Sequence, residues 1–238
     1  MLMARMLSAV GRLTYAQTVL QDHPVAWWKL NEASGTVAAD SSGNGYNGTY
    51  EGGFTLAALV NPSGVGGKGV KFDGSTGYVL TPLPTTAIAS VTLEAWMNFD
   101  GLSSASGPFL QLGSAAVSGY GVGVGSGSAY TVAGTTLMGL YSTKTWNSSG
   151  ALIPTSGWHI CHMVITATGT SIFYIDGAQV GTNSNSSVLA PSGNGYIAQA
   201  YGGGTGSNFF GGALSNVAIY NTVLSAARIQ AHYNAGIA

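Results

Sequence analysis

Nine consecutive residues, Val91-Thr-Leu-Glu-Ala-Trp-Met-Asn-Phe99, put Val91, Leu93, Ala95, Met97 and Phe99 on one side of an extended chain. A period of two marks a strand with one face on a core and does not fit a helix, whose period is 3.6. Trp158 to Thr168 is a second long run, and Ile172-Phe-Tyr-Ile-Asp176 follows the turn Thr168-Gly169-Thr170. Asp176-Gly177 then predicts a tight hairpin into Ala178-Gln-Val180, because this pair tolerates the positive φ of a type I′ turn. Shorter strands are expected at Val25–Leu30, Val70–Asp73, Tyr78–Thr81, Tyr120–Gly125, Leu137–Ser142, Tyr196–Ala200 and Ala213–Tyr220. Many short strands joined by Gly-rich turns specify an all-β fold, a two-sheet antiparallel sandwich. Helix is confined to the ends. Thr14-Tyr-Ala-Gln17 matches a capping box for a helix over Tyr15 to Asp22, which must stop before Pro24. Ser225 can cap a second helix through Tyr233, with Gly236 as its stop.

The 238 residues fit one such domain, since sandwiches of this size fold as single units. Charged residues are 6% of the chain, against roughly 25% in an ordinary soluble protein. Lys144 is the single cation between Lys71 and Arg228, too few for a face that neutralises phosphates, so nucleic acid is not an expected partner. Apolar residues at 45% with a net charge of −1 favour collapse over disorder. The lone Cys161 allows no internal disulfide. No apolar run reaches the 18 or so residues of a membrane span. The stretch between Arg5 and Arg12 is short for a secretory signal, so export by the general route is not expected. Instead Leu2, Met6 and Leu13 recur at helical spacing beside Arg5 and Arg12, and residues 1–14 read as a docking arm ahead of a domain at 15–238.

Several ordered blocks resemble a known family. Asp22-His-Pro-Val-Ala-Trp-Trp-Lys-Leu-Asn-Glu32 and Asp40-Ser-Ser-Gly-Asn-Gly45 open the series. Phe72-Asp-Gly-Ser-Thr-Gly-Tyr78, Thr92-Leu-Glu-Ala-Trp96 and Gly157-Trp-His159 continue it. Tyr174-Ile-Asp-Gly177, Phe210 to Tyr220 and Leu224-Ser-Ala-Ala close it. From about Tyr15 onward the chain resembles LamG-like jelly-roll domains of the concanavalin A-like lectin/glucanase superfamily. The resemblance implies a two-sheet jelly roll. It implies function only weakly, because the fold serves lectins, adhesins, enzyme-accessory modules and virion proteins alike.

A glycosidase would need two carboxylates about 5–10 Å apart. Glu94 shares its strand face with Thr92, Trp96 and Asn98, with no acid two or four residues away, so no catalytic residue is expected. Trp158-His-Ile-Cys-His162 is a weak metal motif. On a strand His159 and Cys161 share one face while His162 takes the other, which makes Cys161 a small core residue. Asp40-Ser-Ser42-Gly-Asn44 has the spacing of an oxygen-rich loop. It reads either as a plain turn or as a structural calcium site with ligands Asp40, Ser42 and Asn44, to which the resemblance adds Glu32. For sugar binding an exposed ring must stand beside hydrogen-bonding groups. Trp146, Asn147 and Lys144 in the segment 143–149 are the candidates, with Tyr201 as a second ring.

Three functions fit: a virion structural protein, a glycan-binding adhesin, or an accessory domain of a carbohydrate enzyme. An extracellular type of fold without an export signal favours the first. The expectation is therefore a non-enzymatic decoration protein on the exterior of a phage head. It would be held by the major capsid or another virion protein, be homo-oligomeric, and touch host glycans through its outward face.

Overall fold

The structure is a computed structural model and describes residues 12–82, 90–99, 107–114, 118–125, 136–142, 146–184, 191, 193–200 and 208–238. Helix α1 is Tyr15–Gln21. The strands that follow are β1 (Ala26–Trp28), β2 (Val37–Ala38), β3 (Gly48–Glu51), β4 (Phe54–Val60), β5 (Lys68–Asp73), β6 (Tyr78–Thr81), β7 (Val91–Phe99) and β8 (Pro108–Ser114). Next come β9 (Ser118–Gly125), β10 (Thr136–Ser142), β11 (Trp146–Leu152), β12 (His159–Ile165), β13 (Thr170–Ile175), β14 (Ala178–Ser184), β15 (Gly195–Ile197) and β16 (Gly211–Tyr220). Helix α2, Ala226–Gly236, ends the chain.

The strands form two eight-stranded antiparallel sheets. One runs β14-β13-β12-β7-β16-β5-β4, with β1 also paired to β16; the other runs β11-β10-β9-β8-β15-β6-β3-β2. Strand β16 serves two neighbours along one edge. Its first half pairs with β5 and its second half with β1, and the register shifts between Ser215 and Ala218. Asn216 makes the bulge at φ +50 and accepts the Trp27 indole N–H at 3.1 Å. The all-β sandwich with terminal helices expected from the sequence is what the chain forms.

Between the sheets lies the main core, to which β7 gives Val91, Leu93, Ala95, Met97 and Phe99 as its alternation predicts. The other face of β7 is buried too. Tyr15 and Val19 of α1 and Ile229 of α2 cover Trp96, Ile160, Val164, Ala218 and Tyr220 in a second apolar layer. Two layers account for the unbroken burial of all ten residues of β16. Burying a large apolar side chain is worth about 1.5–3 kcal/mol, so the helices are integral to the sheet and not appendages.

Both helix starts follow their predicted caps. Thr14 and Gln17 form the reciprocal capping box of α1, and Ser225 accepts the Arg228 amide at the start of α2. The Asp176-Gly177 turn has φ +52 and +81, as a type I′ hairpin requires. The two sheets meet along one side, where Asn183 of β14 donates to the Ser148 carbonyl of β11 at 2.6 Å. Gly181 is needed at this seam, because a Cβ there would lie 2.2 Å from the Ser149 carbonyl oxygen. At the opposite side β4, among the described residues, pairs with β5 alone. No helix among the described residues is long and apolar enough to cross a membrane.

Candidate functional site

The sequence expectation for a sugar site meets a buried ring. Trp146 is 2% exposed and packs into the slot left by Gly121, where a Cβ would stand 2.9 Å from the indole. The Asn-Ser-Ser-Gly that follows resembles a loop, yet β11 pairs with β10 and its register turns the indole inward. Trp146 therefore presents no face to a sugar. Asn147 is part-buried opposite Gly139. Lys144 and Tyr201 lie outside the described residues, as do Leu2, Arg5 and Met6 of the arm. At the arm's described end, Leu13 is exposed and Arg12 donates to the Asn234 carbonyl of α2.

The loop after Asp40 is an internally hydrogen-bonded turn. Asp40 Oδ1 accepts the amides of Trp27 and Ser42 at 3.0 and 2.9 Å. Its Oδ2 accepts the Ser42 hydroxyl at 2.8 Å and the Tyr46 amide at 3.0 Å. Burial opposes the charge, but these four donors outweigh it and hold the carboxyl below its ordinary range. Glu32 is engaged likewise, by the Ala39 amide at 2.9 Å and the Tyr50 hydroxyl at 2.7 Å. Calcium takes six to eight oxygens. Of the candidates Asp40, Ser42, Asn44 and Glu32, the central Asp40 fits poorly, because a cation would have to displace its four donors.

That turn is instead one wall of a cleft of about 630 Å³. Ser42, Asn44 and Tyr46 face Leu20, His23, Pro24 and Val25, and Asn221 just past β16 completes the lining. Asn44 Nδ2 donates to the Val25 carbonyl at 2.9 Å, which ties the two walls together. His23 follows α1 at φ +51 with its amide on the Leu20 carbonyl at 3.1 Å. Among the described residues the lining contains amide, hydroxyl and imidazole groups with a phenol ring and a leucine, and no carboxylate. Such a surface can bind a polar, uncharged ligand.

A second constellation lies under the terminal helices and was invisible in the sequence. Glu94 Oε2 is 3.0 Å from His162 Nε2 and 2.7 Å from His232 Nδ1. Tyr15 donates to Glu94 Oε1 at 2.5 Å, and Tyr220 to Oε2 at 3.2 Å. The opposite nitrogen of His232 meets Asp22 Oδ2 at 2.7 Å. Arg228 forks onto Asp22, with Nε at 2.9–3.0 Å and Nη2 at 2.8 Å. With a carboxylate at each nitrogen, His232 is an imidazolium. Burial works against its charge, but Glu94 and Asp22 raise its pKa to about 9. Glu94 is pushed up by burial and pulled down further by the two histidines, ending well below the ordinary range. Asp22 falls as well, its burial outweighed by His232 and Arg228.

Glu94, His162 and His232 place their ligand atoms within 4.8 Å of one another, the arrangement of a three-ligand metal site. The distances argue for protons. Ligand atoms around a tetrahedral zinc at 2.0–2.1 Å stand about 3.3 Å apart, whereas Glu94 Oε2 is 2.7 and 3.0 Å from the two histidines. The Glu94 and Asp22 carboxylates are already paired with His232 and Arg228. Glu94, His162 and His232 are all 0% exposed, so no substrate reaches them. As the strand alternation predicted, Cys161 faces the inter-sheet core and His162 the other side. His159 instead bonds Asp176 at 2.6 Å.

Solved structures share this architecture. Domain 4 of an extracellular arabinanase from Geobacillus stearothermophilus, in complex with arabinotriose, superposes with a TM-score of 0.63 at 15% identity, over 88% of this chain and 97% of that domain. The sialidase of Trypanosoma rangeli gives 0.63 at 18% identity over 89% of this chain, which spans 32% of the sialidase. Botulinum neurotoxin type C, which interacts with two ganglioside molecules, gives 0.61 at 13% identity over 91% of this chain and 52% of that one. At such identities the likeness is one of fold. No curated protein matches in sequence. The Laminin_G_3 family model matches residues 73–230, from the end of β5 into α2, about two thirds of the chain and less than the stretch from Tyr15 that the sequence blocks suggested. This chain belongs to the concanavalin A-like lectin/glucanases superfamily.

Proposed function

We propose that the protein is a non-catalytic saccharide-binding module whose site is the cleft between the His23 turn and the Ser42–Tyr46 loop. The observation that carries the reading is the lining itself: Asn44, Asn221, Ser42 and His23 beside the Tyr46 ring, with no carboxylate among them. Amides and hydroxyls pair with sugar hydroxyls, and an aromatic ring or leucine takes the apolar C–H face. Saccharide ligands of the similar arabinanase domain and ganglioside recognition by the similar toxin support this ligand class. Screening the full chain on a glycan array tests it. Retention of an oligosaccharide that is lost in the double variant Asn44→Ala/Asn221→Ala is expected; no retained glycan, or retention unaffected by the pair, overturns the reading.

The setting belongs to the same proposal: display on the exterior of a phage particle, held by a capsid or other virion protein. What supports it is a chain with only seven Lys+Arg and eight Asp+Glu, and the uncharged edge strand β4, which exposes Leu59 and Val60 at 39% and 66%. An edge of this kind invites pairing unless an assembly covers it. Immunogold labelling of particles checks this: label over the shell is expected, and label at the tail tip or on no particle contradicts it.

A further inference from the structure

We infer that the cleft is selective for neutral over acidic saccharides and that His23 is a specificity-determining contact; both rest on the saccharide-binding reading above. Apart from the His23 imidazole and the Tyr46 phenol, no ionisable side chain among the described residues lines the cleft. The charges closest in sequence are committed elsewhere. Asp22, next to His23, has its oxygens on Arg228 and His232. Asp40 gives both oxygens to the Trp27, Ser42 and Tyr46 donors. Arg228 is forked onto Asp22 and the Thr18 carbonyl, and Lys29 sits over the Trp27 ring at 4.7 Å. A uronate or sialate carboxylate would therefore lose water without gaining a fixed cation, a cost that burial of an unpaired charge always carries.

The uncharged groups, by contrast, are available. The Asn221 carboxamide, the Tyr46 hydroxyl and the His23 ring nitrogens make no hydrogen bond to another described residue. Asn44 spends its amide N–H on Val25 and keeps its carbonyl oxygen open. Donors and acceptors in alternation fit the adjacent hydroxyls of a sugar ring. Leu20, 44% exposed, supplies apolar surface at the rim.

His23 is one of seven described non-glycine residues with a positive φ, and of these it is the one that lines the cleft. It terminates α1 in the left-handed region at φ +51, where glycine is the usual residue. A side chain at such a position costs stability. The imidazole stands on the cleft wall.

Titration calorimetry on the full chain with matched pairs, a neutral oligosaccharide and the same oligosaccharide carrying sialate or uronate, tests the selectivity. Preference for the neutral member by about tenfold or more is expected. Equal or stronger binding of the acidic member overturns the selectivity and leaves saccharide binding standing, whereas binding of neither member overturns both. His23→Gly tests the residue. The variant is expected to melt at the parent temperature or above it while losing about tenfold in affinity. Unchanged affinity overturns the assignment, and a lower melting temperature with unchanged affinity marks His23 as structural.

Discussion

His232 Nδ1 lies 2.7 Å from Glu94 Oε2, joining the last helix to the middle of β7 across 138 residues of sequence. The contact is fully buried, and Asp22 closes it from the other side at 2.7 Å. N-terminal turn, central strand and C-terminal helix are thus held at one imidazolium.

Removing one carboxylate from that arrangement leaves a buried cation short of a partner. Glu94→Ala is expected to destabilise the fold by roughly 3–5 kcal/mol, the usual cost of breaking a buried pair from one side. Urea denaturation measures it. A loss under about 1 kcal/mol would show that the network contributes little.

The same imidazolium sets a pH dependence. Its folded pKa, about 9, is above the ordinary value of 6.5, so its contribution is complete below pH 6.5 and is lost as pH rises through 9. The difference corresponds to about 3 kcal/mol. Glu94 and Asp22 are lowered, so their contribution is present above the ordinary carboxylate range and is lost only in stronger acid. Stability should be greatest between about pH 5 and 6.5 and decline toward pH 9. His159, raised by Asp176, adds to the decline with the same sign. In His232→Gln the alkaline slope is expected to shrink; an unchanged slope would assign it to other groups.

Trp146→Ala should open a core cavity costing roughly 3–5 kcal/mol while leaving saccharide affinity as it was. Thermal melts and calorimetry on one preparation separate the two effects. Lost affinity in a variant that remains folded would return the sugar site to β11.

The Asp40 turn should be indifferent to divalent cations, since its oxygens already accept four protein donors. Excess chelator is expected to leave the melting temperature unchanged. A clear fall, restored by calcium, would place a cation there.

Much of the fold was legible because periodicity and turn chemistry are local. The β7 alternation, the Asp176-Gly177 hairpin and both helix caps are encoded within a few neighbouring residues. What escaped depends on distance in the chain. Strand β4, with Ala57 at φ +49, carries no turn-bounded alternation, and β11 begins Trp-Asn-Ser-Ser-Gly. Glu94 and His232 show no common signal 138 residues apart. The cleft was half visible: Ser42 and Asn44 stood out as oxygen donors, but for a cation. Nothing local marks Asn221 or His23 as their neighbours, because β16 and the end of α1 meet that loop only in the folded sandwich.

The most direct test of the saccharide site is a heteronuclear NMR titration that follows the His23 and Tyr46 rings as a neutral oligosaccharide is added. Saturable shifts of both rings and of the Asn221 carboxamide, with the His232 imidazole unmoved, are predicted. Saturable shifts confined to β11 around Asn147, or none at all, would contradict the account.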